Sequence, residues 1–123
     1  MLKDCFARIM GSDFNKLKKG KSVRFQDEAG EFALNPGFVQ DFDLHDMEHY
    51  LAAIASRPVL LVHGKEDEAV DFANAEYAAR QLTNARLYLV DQADHRFTWL
   101  TKEREDITIN WLRETFLTRG RGC

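Results

Sequence analysis

The sequence has little cysteine and lacks any long hydrophobic run. Its two cysteines, Cys5 and Cys123, lie at opposite ends, so they form neither a metal-site spacing nor a disulfide framework. A reducing compartment is the simplest expectation for such a chain. No stretch approaches the roughly 20 apolar residues that cross a bilayer, and the first ten residues lack the apolar core of a signal peptide. We therefore expect a cytoplasmic protein with no membrane partner.

The chain also lacks an excess of positive charge. Its net charge of -3 at pH 7 gives no general attraction to nucleic acid. The basic tail at residues 119–123 is short and is more simply a frayed terminus than a nucleic-acid contact. With 45% hydrophobic and 30% charged residues, the composition is that of an ordinary globular protein. A chain of 123 residues can form one domain that buries about two thirds of its unfolded surface.

The first half of the chain contains patterns for two helices and a hairpin. Apolar residues at helical spacing predict a short amphipathic helix over residues 2–10, and the lysine-rich stretch 14–20 predicts an exposed connection. Alternating residues over 21–34, with a turn at Asp27–Gly30, predict a β-hairpin. A continuous apolar stripe then predicts one helix over residues 38–54.

The second half has a β-α-β-α pattern. The apolar run Val59–Val62 does not alternate, so we expect a central parallel strand buried on both faces. A helix over 72–82 and a strand over Leu87–Val90 follow. Thr101 is a candidate N-cap of a final helix, which Gly120 would end. Such units form parallel sheets, and the sequence therefore predicts an α/β fold class.

An acidic residue and a histidine follow the two predicted strands. Asp67 lies in the loop after the first strand and His95 in the loop after the second. In parallel sheets ligands bind beyond the carboxyl ends of the strands, and a catalytic histidine needs a carboxylate to fix its tautomer. Spacing alone is only suggestive, because aspartates in strand-end loops are more often turn formers.

Two motifs around these residues resemble the α/β-hydrolase fold family. The sequence VLLVHGKEDEAV at 59–70 resembles the family's acid loop, an apolar strand followed by G-x-x-D-x-x-V. The sequence ADHRF at 93–97 resembles its histidine loop. The resemblance covers residues 57–117 and implies a partial α/β-hydrolase fold, in which a C-terminal β-α-β-α unit is preceded by a helix, a β-hairpin and a further helix. It further implies that Asp67 is the acid and His95 the base of a Ser-His-Asp triad that hydrolyses ester or amide bonds, with no cofactor.

The nucleophile of that triad is missing from the sequence. The family carries its serine in a G-x-S-x-G elbow, and none of Ser12, Ser22 and Ser56 lies in such a motif. The resemblance thus implies that the N-terminal half of the fold, with the nucleophile and the oxyanion-hole loop, lies outside this chain. Two hypotheses follow, namely an acid–base portion completed by an N-terminal hydrolase half, or a non-catalytic remnant that associates with itself as a homo-oligomer.

Other candidate residues have simpler interpretations. His45 and His49 form an H-x-x-E-H pattern that resembles an inverted zinc motif, but no third ligand is evident, and we expect a solvated helix face with no metal. His63 is predicted to be a structural residue at a strand end, and Asp94 to shape its loop. Trp99 and Trp111 are predicted to lie in the core or in an interface.

The change of pattern near Pro58 suggests an internal division. Residues 1–56 form a lead-in or cap-like segment, and residues 57–123 form the hydrolase unit. We expect the two parts to make one compact domain.

Overall fold

The computed structural model describes residues 2–117. The chain divides into two compact units, the first reaching to Met47 and the second beginning at Glu48. The sequence-based division after residue 56, and the expectation of one compact domain, stay predictions. The predicted helix end at Gly120 and the basic tail lie outside the described residues.

The elements follow one another in an order close to the predicted one. The helices are α1 (Leu2–Met10), α2 (Ser12–Lys18), α3 (Gly37–Phe42), α4 (Met47–Ile54), α5 (Ala73–Gln81) and α6 (Thr101–Leu112), which continues into a π-helical turn over Arg113–Leu117. The strands are β1 (Val23–Asp27), β2 (Gly30–Leu34), β3 (Val59–Gly64) and β4 (Ala85–Val90).

The prediction of an exposed connection over residues 14–20 is wrong. Most of this stretch forms α2, and Phe14 and Leu17 are buried in the core of the first unit together with Val23 and Val39. Phe14 and Leu17 are three residues apart, so they share one helix face. The lysines between and after them form the solvated face of an amphipathic helix rather than a loop.

The predicted hairpin is confirmed. Strands β1 and β2 pair in antiparallel fashion, with Phe25 opposite Phe32 and the two rings stacked at 5.5 Å between centroids. The carboxylate of Asp27 accepts hydrogen bonds from the amides of Ala29 at 2.8 Å and Gly30 at 3.1 Å. The turn is thus fixed by the aspartate that opens it.

The single helix predicted over residues 38–54 is wrong, because the chain forms α3 and α4 with a break between them. The amides of Asp43, Leu44 and His45 each bond to the carbonyl three residues earlier, which is the tightened geometry of a helix end. Asp43 and Asp46 belong to a residue type that competes with helical hydrogen bonding. Leu44 is consequently 77% exposed rather than part of an apolar stripe.

The second unit is built on two parallel strands. The register runs from Val59 opposite Ala85 to Gly64 opposite Val90, which confirms the predicted parallel pairing. One side of the sheet packs against α4 and α5 in a cluster that includes Leu51, Ala78, Leu82, Val59 and Leu61. The other packs against α6 in a cluster that includes Val62, Val90, Phe97 and Ile107. Helices therefore cover both faces, as in a partial α/β-hydrolase fold.

Two finer predictions for this unit are wrong, and a third is decided only in part. Residues Val59 to His63 are only half-buried, because β4 is the one strand that pairs with β3 in the described part of the chain. Trp99 is 96% exposed and so lies outside the core, while its alternative placement in an interface stays a prediction. Thr101 is the first residue of α6 and makes no cap. Its hydroxyl donates to the carbonyl of Phe97 instead.

Among residues 2–117, no helix has the length and apolar character needed to cross a membrane.

Candidate active site

Two loops meet at the carboxyl ends of β3 and β4. The amide of Lys65 donates to the carbonyl of Val90, and the amide of Glu66 donates to that of Ala93, each at 3.0 Å. Gly64 allows this approach, since a Cβ atom there would lie 2.2 Å from the Ala93 carbonyl oxygen. A glycine at this position therefore holds the acid loop directly against the histidine loop.

The Asp67 side chain is fixed by its own loop. Its Oδ1 accepts hydrogen bonds from the amides of Ala69 at 2.9 Å and Val70 at 2.8 Å. The side chain is only 6% exposed. This is the turn geometry that an aspartate forms readily with the residues after it, and here it also aims the carboxylate across the gap between the loops.

The structure brings Asp67 and His95 together. His95 Nδ1 lies 2.9 Å from Oδ2 and 3.1 Å from Oδ1 of Asp67. An ionised carboxylate only accepts hydrogen bonds, so the proton lies on Nδ1. The other ring nitrogen, Nε2, makes no hydrogen bond within residues 2–117, and the His95 side chain is 48% exposed. The tautomer therefore leaves Nε2 able to accept a proton from outside.

The electrostatics of the pair favour the charged form of both partners. Burial of the Asp67 carboxylate would raise its pKa, but the hydrogen bonds from Val70, His95 and Ala69 outweigh burial and leave the pKa below its usual value. The pKa of His95 is raised, first by its hydrogen bond to Asp67 and then by the attraction between their charges. His95 is thus a stronger base than an isolated histidine.

Two acidic residues beside the pair shape the histidine loop. Asp94 Oδ1 accepts from the amides of Arg96 at 3.1 Å and Thr98 at 2.8 Å, as its predicted loop-shaping role requires. Glu68 Oε2 accepts from the His95 amide at 3.2 Å. The sequence interpretation did not single out Glu68. Its position directly after Asp67 was the one feature of the sequence that could have indicated a role in the site.

The remaining candidates are the zinc-like histidine pattern and a cavity near the start of the strands. His45 falls in the break between α3 and α4, so it does not share a helix with His49. In the described range no group of three or more metal-ligating side chains occurs. A cavity of about 270 Å³ lies at the opposite ends of the strands, lined in part by Pro58, Asn84 and Arg86. Because ligands of parallel sheets bind beyond the carboxyl ends, this cavity is not the candidate active site.

The family model described as TAP-like protein matches residues 44–121 of the chain. This match covers more than half of the sequence and includes both loops of the site. The chain belongs to this TAP-like family of α/β-hydrolases. No curated protein matches it.

Solved structures agree with the TAP-like assignment at the level of the fold. Est1E from Butyrivibrio proteoclasticus matches with a TM-score of 0.56 and 21% identity, over 71% of this chain and 37% of Est1E. A structure described as ferulic acid bound to the same Est1E matches with a TM-score of 0.53 and 20% identity, over 71% of this chain and 36% of that one. The TAP-like chain therefore spans little more than a third of the length of these structures.

Proposed function

We propose that this chain supplies the acid–base portion of an α/β-hydrolase triad that hydrolyses ester or amide bonds. His95 is the general base and Asp67 is the acid that orients it. The observation that carries the proposal is the 2.9 Å contact between His95 Nδ1 and Asp67 Oδ2, made at the carboxyl ends of parallel strands in a chain of this family.

The chemistry of the proposal follows from the tautomer. With the proton held on Nδ1, His95 Nε2 would take the proton of an attacking serine hydroxyl and later return it to the leaving group. Asp67 would stabilise the imidazolium that forms between these steps. No cofactor or metal takes part in this scheme.

The nucleophile and the oxyanion hole have to come from sequence beyond these 123 residues, since no G-x-S-x-G occurs among them. An acid–base pair without them lacks the groups that supply most of the rate. We therefore expect the purified chain to be a very poor hydrolase. The matching partner is an N-terminal hydrolase half that carries the elbow.

A fluorophosphonate probe, which labels activated serines, tests the division of roles. The purified chain is expected to remain unlabelled. Labelling of any of its three serines would contradict the proposal that this chain carries no nucleophile.

An N-terminal half with an in-frame G-x-S-x-G is expected to be labelled only when this chain is added. In that mixture His95→Gln should abolish labelling, whereas His49→Gln, a histidine outside the site, should leave it intact. Equal labelling with either variant would refute the role of His95.

A second candidate function is a non-catalytic chain that associates with itself. The half-buried apolar strand β3, which pairs on one side only among the described residues, favours it, because such an edge is a template for another strand. Sedimentation velocity distinguishes the two. A concentration-dependent dimer or larger species supports self-association, and a monomer throughout the accessible concentration range contradicts it.

A further inference from the structure

His63 connects the end of β3 to the far side of the acid loop. Its Nε2 lies 2.9 Å from the carbonyl oxygen of Val70 and 3.2 Å from Oδ2 of Asp67. The His63 side chain is only 17% exposed. The sequence had suggested no more than a structural strand-end residue, and neither contact was expected.

The Val70 carbonyl determines where the proton of this ring lies. A carbonyl oxygen can only accept a hydrogen bond, so His63 Nε2 carries a hydrogen in either charge state of the ring. That N–H closes the loop between residues 63 and 70, and the same nitrogen lies beside the Asp67 carboxylate without a second hydrogen bond. Oδ2 of Asp67 therefore contacts two imidazole rings, with His63 Nε2 at 3.2 Å and His95 Nδ1 at 2.9 Å.

The two ends of the carboxylate are held by different groups. Oδ1 is bound by the amides of Ala69 and Val70, so the orientation of the carboxylate depends on where the loop holds these two amides. His63 donates to the carbonyl of Val70 and thereby fixes the position of one of these two residues. Val70 is also held on both sides, since its amide binds Asp67 and its carbonyl binds His63.

We propose that His63 is a positioning residue, which holds the Asp67 carboxylate in the orientation that meets His95. The inference builds on the proposed acid–base function, because orienting Asp67 matters for chemistry only if His95 is the base. The charged groups that face the pair are Glu68, whose charge raises the pKa of His95, and Arg96, whose charge lowers it. All of the variants below leave these two residues in place.

Three substitutions separate hydrogen bonding from packing. His63→Gln places an amide nitrogen where Nε2 lies, so it can still donate to the Val70 carbonyl. His63→Asn carries its nitrogen at the position of Nδ1 and falls short of that carbonyl. His63→Leu fills similar volume with no donor. The readout is the pKa of His95, followed by NMR through its ring C–H signals, in the whole chain.

The expected result is that wild type and His63→Gln both titrate His95 above its ordinary value of 6.5, whereas His63→Asn and His63→Leu move it towards that value. Unchanged His95 titration in both of the latter variants would overturn the inference. So would a drop in His63→Gln as large as that in His63→Leu. If His63→Leu loses the dispersed amide spectrum of a folded protein, the comparison of His63→Gln with His63→Asn decides the test by itself.

The same titration separates this inference from the proposed function. A wild-type His95 that titrates at its ordinary value would mean that Asp67 and His95 do not pair, and both proposals would fail. A raised wild-type value that no His63 variant changes would refute the role of His63 alone. The acid–base pair would then stand without it.

Discussion

At the scale of single residues, Glu68 shows how a side chain next to the acid can act on the base. It follows Asp67 in sequence, yet its carboxylate binds the backbone amide of His95. The sequence identified Asp67 and His95 because they lie in recognisable motifs. It missed Glu68, since a solvent-facing glutamate in a loop has no pattern that predicts a contact to a distant amide.

We predict that Glu68→Ala loosens the histidine loop while Glu68→Gln preserves it. The glutamine oxygen still accepts from the His95 amide, and alanine offers no acceptor. A hydrogen bond of this kind contributes about 1 kcal/mol, which corresponds to roughly a fivefold change in the protection of the amide from hydrogen exchange. Hydrogen exchange of the His95 amide measures it, with Glu66→Ala as the exposed neighbouring control. Equal exchange in the alanine and glutamine variants would count against the contact.

Gly64→Ala should separate the two loops. Its new methyl would meet the backbone oxygen of Ala93 at 2.2 Å, so the backbone itself must shift. We expect a loss of about 1–3 kcal/mol in unfolding free energy, together with a His95 pKa closer to its ordinary value. Gly37→Ala is the matched control, because its methyl would meet only the flexible side chain of Asn35. A stable Gly64→Ala variant with an unchanged His95 pKa would contradict the close approach.

At the scale of elements, the sequence predicted helices and strands correctly where each stretch carried a single hydrophobic pattern. The strands β3 and β4 and the helix α5 were placed to within a few residues, because apolar runs and a helical stripe were bounded by clear loops. The region before them combined conflicting signals. Lysines hid the amphipathic character of α2, and an apolar stripe ran across the break between α3 and α4, where aspartates favour a helix end.

The buried face of α2 gives an element-scale prediction. Leu17 is 1% exposed, so Leu17→Ala should lower the stability of the first unit by about 2–5 kcal/mol. Leu44→Ala removes the same atoms from a side chain that is 77% exposed, and it should change stability by less than about 0.5 kcal/mol. Urea unfolding of both variants measures the difference. Similar losses would show that α2 does not bury Leu17.

At the scale of the whole molecule, the sequence could indicate a family but not the burial of its strands. How far β3 is covered depends on which strands lie beside it, and the strand's own residues do not encode that. Val59–Val62 is typical of a strand buried on both faces, yet these residues are half-buried. The run therefore predicted the parallel sheet correctly and the burial of β3 incorrectly.

The paired charges predict how overall stability depends on pH. The raised pKa of His95 gives stabilisation that is complete below 6.5 and is lost as pH rises through the folded-state value. The lowered pKa of Asp67 gives stabilisation that is complete above 3.8 and is lost as pH falls through the folded-state value. The pair should therefore stabilise most between these two limits.

Asp67→Asn isolates this charge contribution, since its amide oxygen still accepts from Ala69 and Val70. The difference in unfolding free energy between wild type and this variant should be larger at about pH 5 than at about pH 9. Urea titrations at both values measure it. A difference that does not change with pH would mean that the ion pair adds no stability.

The exposure of Trp99 has a further, optical consequence. The residue is 96% exposed and lies four positions after His95 in the sequence, whereas Trp111 is half-buried. Its fluorescence should thus resemble that of indole in water and should be quenched readily by acrylamide. A molecule that covers Trp99 would shift this emission to shorter wavelength, so the loop that holds the proposed base also carries a reporter of docking.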